Sequence, residues 1–207
     1  MKRIAFTARQ KAEVIETEDF SGPLAPDELR GRSLVTLVSP GTELNWGYLG
    51  DQFPNHPGYA GVFEVQEIGS EIDDLSAGAL VFCSGNHAAR QKARRCDVLE
   101  LPPGLAPESA VFARLVGVSM SSLNATVIRP PSTVLVTGLG PVGILAAQVF
   151  SAAGYAVVAV DPVEARRRTA AGLGRGRVSE FVNTEELSDR IDLHNECSGH
   201  EQAVVDG

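Results

Sequence analysis

Apolar and polar positions alternate in short runs through the first half of the chain and lengthen into helical periods in the second. Runs rich in β-branched and aromatic residues occur at 3–7, 34–38, 61–68, 80–83 and 98–101. Turn-forming clusters punctuate them, among them Ser21-Gly22-Pro23, Pro40-Gly41, Pro57-Gly58 and Pro102-Pro103-Gly104. Regular short strands with such turns predict a small antiparallel barrel or sandwich.

The texture changes at Pro107. Pro107-Glu108 suits a helix start, and apolar residues recur through Val111, Leu115, Val118 and Leu123. Arg129-Pro130-Pro131 stops the helix, which places the domain boundary near residue 125. A β-α-β-α-β order follows. Residues 133–137 and 156–160 are continuous apolar runs, as expected of strands covered on both faces. Helices are predicted over 141–153 and 163–171, a short third strand at Phe181-Val182 and a fourth at 191–193. This alternation predicts an α/β unit with a parallel sheet.

The junction of the first such strand and helix carries the chemistry. Gly138, Gly140 and Gly143 form G-x-G-x-x-G after a buried strand and at a helix start, and Asp161 ends the next strand. Each residue type has a physical task in holding a dinucleotide. Gly138 permits the tight turn, Gly140 lets a pyrophosphate approach the backbone, and Gly143 lets the helix pack against the strand. Pro141 needs no N–H partner at the first helical position, and Val142 lies in the same turn, whose free N–H groups and positive dipole end attract phosphate. Asp161 is expected to accept hydrogen bonds from the adenosine ribose, which favours NAD. Arg166, in the run Arg166-Arg167-Arg168, could reach a 2′-phosphate, so NADP stays open. Ser198, in the exit of the fourth strand, is expected to border the same crevice.

Charge and cysteine usage narrow the function classes. The formal net charge of −8 and the absence of a Lys/Arg stripe argue against nucleic acid and anionic membrane as partners. The three cysteines, Cys83, Cys96 and Cys197, form no C-x-x-C pair, which argues against a disulfide framework or a zinc knot. The first ten residues lack the apolar core of a signal peptide, and no apolar run is long enough to cross a bilayer. A cytoplasmic protein is expected.

Further segments make a resemblance specific. Ser39-Pro40-Gly41-Thr42-Glu43, Pro57-Gly58-Tyr59-Ala60-Gly61, the stretch LPPGLAPESA at 101–110 and GLGPVG together resemble the medium-chain dehydrogenase/reductase family, alcohol dehydrogenase-like, over essentially the whole chain. The resemblance implies a GroES-like β-barrel domain over 1–125 and a Rossmann doubly wound sheet over 126–207. It implies an NAD(P)-dependent oxidoreductase moving hydride between nicotinamide and an alcohol, a ketone or an activated alkene of small size. Pro40 stands where the family has its zinc-binding Cys, and Tyr59-Ala60 replace its His-Glu pair, so no zinc is expected. His56 and His87 are read as surface or hydrogen-bonding residues. By position, Tyr59 becomes the expected donor to the substrate oxygen, Thr42 a proton relay, and Glu43 a group that orients either or holds the turn.

Relatives continue through two more strands, so the Rossmann sheet is expected to be incomplete, with strand four at its edge. A fragment of a longer polypeptide is favoured. A homo-oligomer or partner chain that completes the sheet, and a truncation without catalysis, are the other readings. A non-catalytic nucleotide-binding or assembly protein derived from the family is the competing function.

Overall fold

A computed structural model of the chain describes residues 1–174 and 176–206, without the side chains of Gln202 and Asp206. Two compact units divide between Ala113 and Arg114.

The first unit is antiparallel. Strands β1 (Lys2–Ala8) and β2 (Lys11–Glu16) form a two-stranded ribbon. Strands β3 (Glu28–Thr36), β4 (Gly61–Ile68), β5 (Leu80–Cys83), β6 (Arg90–Arg94) and β7 (Val98–Glu100) form one sheet in the order β6-β3-β4-β5-β7. Single bridges, Arg3 to Ala88 and Phe6 to Asn55, tie the ribbon to loops of this sheet. The register of β3 against β4 shifts twice, between Arg30 and Gly31 and between Ser33 and Val35. Such shifts bend and twist a strand, which suits a curled, GroES-like sheet. Gly31 is required by proximity: a Cβ there would lie 1.9 Å from the Glu64 carbonyl oxygen. Leu29, Phe63, Val65 and Val81 fill the core, and Val62, Ala110 and Val111 build a second cluster.

Three sequence expectations change here. β3 begins at Glu28 rather than at 34, because Arg30 and Arg32 find Glu67 and Glu64 across the sheet. β2 and β6 carry no apolar alternation, so hydrophobic pattern does not mark them. The helix expected from Pro107 is two elements, α2 (Pro107–Ala110) and α3 (Ala113–Ala125). Between β3 and β4 lie a short turn, α1 (Pro40–Thr42), and a π-helical segment, Glu43–Tyr48.

The second unit is the parallel one. Its sheet runs β10 (Arg177–Ser179), β9 (Ala156–Val160), β8 (Thr133–Thr137), β11 (Leu193–Glu196). All three pairings are parallel, and the order is that of strands 3-2-1-4 of a doubly wound sheet. Helices α4 (Pro141–Ala152), α5 (Glu164–Gly172), α6 (Thr184–Leu187) and α7 (Glu201–Asp206) follow successive strands. Val134, Val136, Phe150 and Ala159 pack on one face, and Leu135, Val158 and Val160 on the other. Burial on both faces is why β8 and β9 read as unbroken apolar runs. The linking helix α3 packs with this unit rather than the first: Ser119 Oγ donates to the Val142 carbonyl at 3.3 Å, and Leu123 joins the Phe150 cluster. The division between the units falls at the first residue of α3.

The third and fourth strands sit elsewhere than predicted. The third is Arg177–Ser179, and Phe181, taken as strand, is 68% exposed in the loop beyond it. The fourth is Leu193–Glu196 rather than 191–193. It lies at the edge of the sheet among the described residues, with Thr137 Oγ1 and His194 Nε2 2.8 Å apart across β8 and β11.

Candidate dinucleotide site and a buried glutamate–histidine pair

In an open parallel sheet, ligands bind beyond the carboxyl ends of the strands, at the point where the strand order reverses. Here that point lies between β8 and β11, and the glycine loop leaves β8 beside it. Gly138 has φ +85°, a left-handed conformation that side chains rarely adopt. A Cβ there would also meet the Ser198 backbone nitrogen at 2.6 Å, so the exits of β8 and β11 close on each other only through glycine. Gly143 is constrained by packing, since its Cβ would lie 1.7 Å from the Gly138 carbonyl oxygen.

Gly140 is different. It has an ordinary φ of −69°, and a Cβ built on it meets nothing within 4 Å. Neither backbone conformation nor packing asks for glycine at this place. The start of α4, where Pro141 occupies the first turn, is left open, and an anion could approach the helix N-terminus there.

A cavity of about 450 Å³ opens at the same carboxyl ends. Gly138, Val160, Pro162, Phe181, Ser198 and His200 contribute to its wall. Ser198 accepts a hydrogen bond on Oγ from His200 N at 3.1 Å. The Glu196 carboxylate accepts from Gly199 N at 3.1 Å and from Ser198 N. Burial alone would raise the Glu196 carboxyl, yet the Ser198 and Gly199 donors and His194 hold it below its ordinary value. The loop that carries Ser198 is thus braced from within.

Asp161 is 1% exposed. Its Oδ2 accepts from Leu139 N at 2.7 Å and its Oδ1 from Val163 N at 2.7 Å. Arg166, on α5, reaches Oδ2 at 3.3 Å. Burial alone would raise this carboxyl, but the two backbone donors and Arg166 hold it below its ordinary 3.8. The acid found by its place after the second strand therefore tethers the glycine turn, a role the sequence reading did not contain.

The residues read as chemical in the first unit are only partly gathered. Glu43 is 9% exposed. Its Oε1 accepts from Ser39 N at 2.8 Å, and its Oε2 lies 3.0 Å from His87 Nε2. The far side of the imidazole, Nδ1, is 2.7 Å from Thr36 Oγ1. Thr42 is exposed, 3.4 Å from Ser39 Oγ through its hydroxyl. Tyr59 is half-buried in the loop after Gly58. Gly58 has φ +101°, and a Cβ there would meet His87 N at 2.6 Å, so the loop passes hard against the histidine segment. His87 and Thr36 were missed as a pair with Glu43. They stand 44 and 51 residues away in chain separation from their partners, and no spacing rule joins them.

Among the described residues, no group of three His, Cys, Asp or Glu side chains gathers as a metal site. Burial pushes the Cys83 thiol up to about 12 and, with Glu196 nearby, Cys197 up to about 11, so both stay protonated at neutral pH. No described helix is long and apolar enough to cross a membrane.

The fold is that of the alcohol dehydrogenase-like medium-chain dehydrogenase/reductases. The chain is similar to galactitol-1-phosphate dehydrogenase from Escherichia coli, with a TM-score of 0.82 at 20% identity over 99% of this chain and 70% of that one. It is also similar to Escherichia coli quinone oxidoreductase complexed with NADPH, with a TM-score of 0.79 at 18% identity over 100% of this chain and 69% of that one. In sequence it resembles a sorbitol dehydrogenase from Halalkalibacterium halodurans, 29% identical over 133 residues, which are 59% of this chain and 39% of the relative. The chain thus matches well under half the length of that curated relative. No family model matches it.

Proposed function

We propose that the protein is an NAD(P)-dependent oxidoreductase acting on a small alcohol, ketone or activated alkene. The observation that carries this reading is the open space at Gly140 between two glycines that geometry compels, Gly138 and Gly143. Space kept clear at a helix start after a buried strand is a binding feature rather than a folding one. Support also comes from relatives whose names are dehydrogenase and quinone oxidoreductase, one of them complexed with NADPH.

The residues present fit a nicotinamide dinucleotide. The backbone from Gly138 to Gly143, with Pro141 and Val142 opening α4, would hold the diphosphate. Asp161 would face the adenosine ribose, and Ser198 would border the nicotinamide half. When bound, the group supplies or accepts hydride. In the first unit, Tyr59 would donate a hydrogen bond to the substrate oxygen, Thr42 would relay a proton, and Glu43 would hold the turn through Ser39 N. The chemistry would be zinc-independent, because Pro40 and Ala60 carry no ligating atom.

NAD is the preferred form. A carboxylate at Asp161 repels a 2′-phosphate, and Arg166 only partly neutralises it from its half-exposed position. Titration of intrinsic and nicotinamide fluorescence should give NADH at least tenfold tighter binding than NADPH. Arg166→Ala should weaken NADPH by about five- to tenfold and NADH by less than twofold, the size of one exposed charge contact. NADPH binding as tight as NADH would overturn the preference. Loss of absorbance at the nicotinamide band on addition of ketones tests the activity itself. Tight NADH binding with no turnover across a wide panel of carbonyls would instead favour a non-catalytic nucleotide-binding protein.

A further inference from the structure

The five-stranded sheet of the first unit is open. Its edge strands, β6 and β7, follow one another in sequence through the 3-10 turn Arg95–Asp97, yet they stand at opposite ends of the sheet order. A cavity of about 580 Å³ lies between these edges. Its wall takes Gln91 and Lys92 from β6, Cys96 from the turn, Val98 from β7, and Cys83 and Gly85 at the end of β5. Gln91 is 6% exposed. Its Nε2 is fully used, donating to Ser33 Oγ at 3.0 Å and to the Asn86 carbonyl at 2.9 Å. That carbonyl can only accept, which fixes the amide this way round. Gln91 Oε1 then accepts no hydrogen bond among the described residues. It lies beside Gly85, where a Cβ would come within 2.4 Å of it. A buried acceptor without a donor is costly, so its place in a cavity wall points to a ligand that brings an N–H. The second feature of the wall is a thiol. Of the three cysteines, Cys96 alone is exposed, with Sγ 3.7 Å from Asp97 Oδ1. Cys83 is buried, which pushes its thiol up to about 12 and takes it out of thiolate chemistry.

We propose that this cavity is a modification site: it binds a small disulfide that carries an amide N–H two carbons from sulfur, and Cys96 keeps half of it as a mixed disulfide. The ligand N–H donates to Gln91 Oε1. The Cys96 thiol gives its proton to solvent, and the thiolate forms a bond to one ligand sulfur as the ligand S–S bond breaks. The departing thiolate takes a proton from solvent. One thiol and one disulfide are consumed, and one disulfide and one thiol are formed. The ligand disulfide is the oxidant: Cys96 is oxidised and the departing half is reduced. Every wall residue belongs to the first unit, so the site stands apart from the dinucleotide reading.

The probe is the disulfide of N-acetylcysteamine, and mass spectrometry of the intact protein follows the adduct. Its rate of formation should saturate with probe concentration. Peptide mapping should place the adduct on Cys96 and leave Cys83 and Cys197 unmodified. The N-methylated probe, which has no N–H, should react at least tenfold more slowly at low concentration and without saturation. Gln91→Met, checked for folding by circular dichroism, should treat the two probes alike. That change also releases Ser33 Oγ and the Asn86 carbonyl, so a second measurement uses the wild type alone. S-methyl-N-acetylcysteamine, which cannot exchange, should slow alkylation of Cys96 by iodoacetamide at least fivefold at saturation. Pantethine and glutathione disulfide both carry the same N–H, and the one that saturates at the lower concentration identifies the source of the thiol. A rate linear in probe, equal rates for the methylated probe, or alkylation unmoved by the thioether would show an ordinary surface thiol and overturn the proposal.

Discussion

Gly140→Ala is expected to abolish useful dinucleotide binding in a protein that folds as well as the wild type. The added methyl meets no atom of the chain within 4 Å, and the backbone at φ −69° accepts any L residue. Stability should move by no more than about 0.5 kcal/mol, the range of substitutions that touch nothing. The same methyl would stand where a diphosphate must approach the α4 amides. Affinity for NADH should fall roughly 100-fold, about 2.7 kcal/mol. Gly143→Ala makes the opposite demand. Its methyl would sit 1.7 Å from the Gly138 carbonyl oxygen, so α4 must move off β8. That should cost about 1–3 kcal/mol or more in stability, with binding lost as a consequence of unfolding. Thermal denaturation and NADH fluorescence, measured on both variants, separate the two. A folded Gly140→Ala protein that binds NADH like the wild type would remove the main support for the dinucleotide reading.

The contrast also shows what a sequence can disclose. Gly138, Gly140 and Gly143 are legible because a glycine is a statement about backbone or space, and the neighbouring strand and helix say which. β8 and β9 are legible because burial on both faces writes a continuous apolar run. β6 is not, because Arg90–Arg94 is an edge strand whose place is set by pairing with β3 rather than by burial. The hydrophobic pattern puts the third strand three to four residues late, because Phe181-Val182 is the more apolar pair. The structure uses Arg177–Ser179 for the strand and leaves Phe181 to wall the cavity. α3 reads as the end of the first domain by its place before two prolines, yet its packing partners lie in the second unit, which no local pattern records. The candidate site divides in the same way. Asp161 is legible as an acid at the end of a strand. Its bonds to Leu139 N and Val163 N are not, nor is the meeting of Glu43 with His87, because those contacts arise from tertiary closure.

The Asp161 tether leads to the second large effect. Asp161→Ala removes the acceptor of two buried backbone N–H groups, at Leu139 and Val163. A hydrogen bond to a charged group contributes about 1.5–3 kcal/mol, and each donor left orphaned by the substitution bears a desolvation cost. A loss of roughly 3–5 kcal/mol is expected, on the scale of the whole stability of a small domain. Because the lost bonds fix the glycine turn, hydrogen exchange should show the amides of Leu139 and Val163 unprotected before the rest of the sheet opens. Asp161→Asn should lie between wild type and Asp161→Ala, since its Oδ1 can still accept from one backbone N–H while its Nδ2, a donor, must face the other. Acidity gives an independent reading. The carboxyl lies below 3.8 in the folded chain, so an unfolded chain takes up the proton first as pH falls. The stabilisation is complete well above 3.8, shrinks as pH drops through that value and is gone below the folded carboxyl's own titration. Wild type should therefore lose stability in that acid range by an increment that Asp161→Asn lacks. Urea midpoints taken from neutral to strongly acidic pH measure the difference, and parallel curves for the two proteins would mean that the carboxylate does not hold the turn.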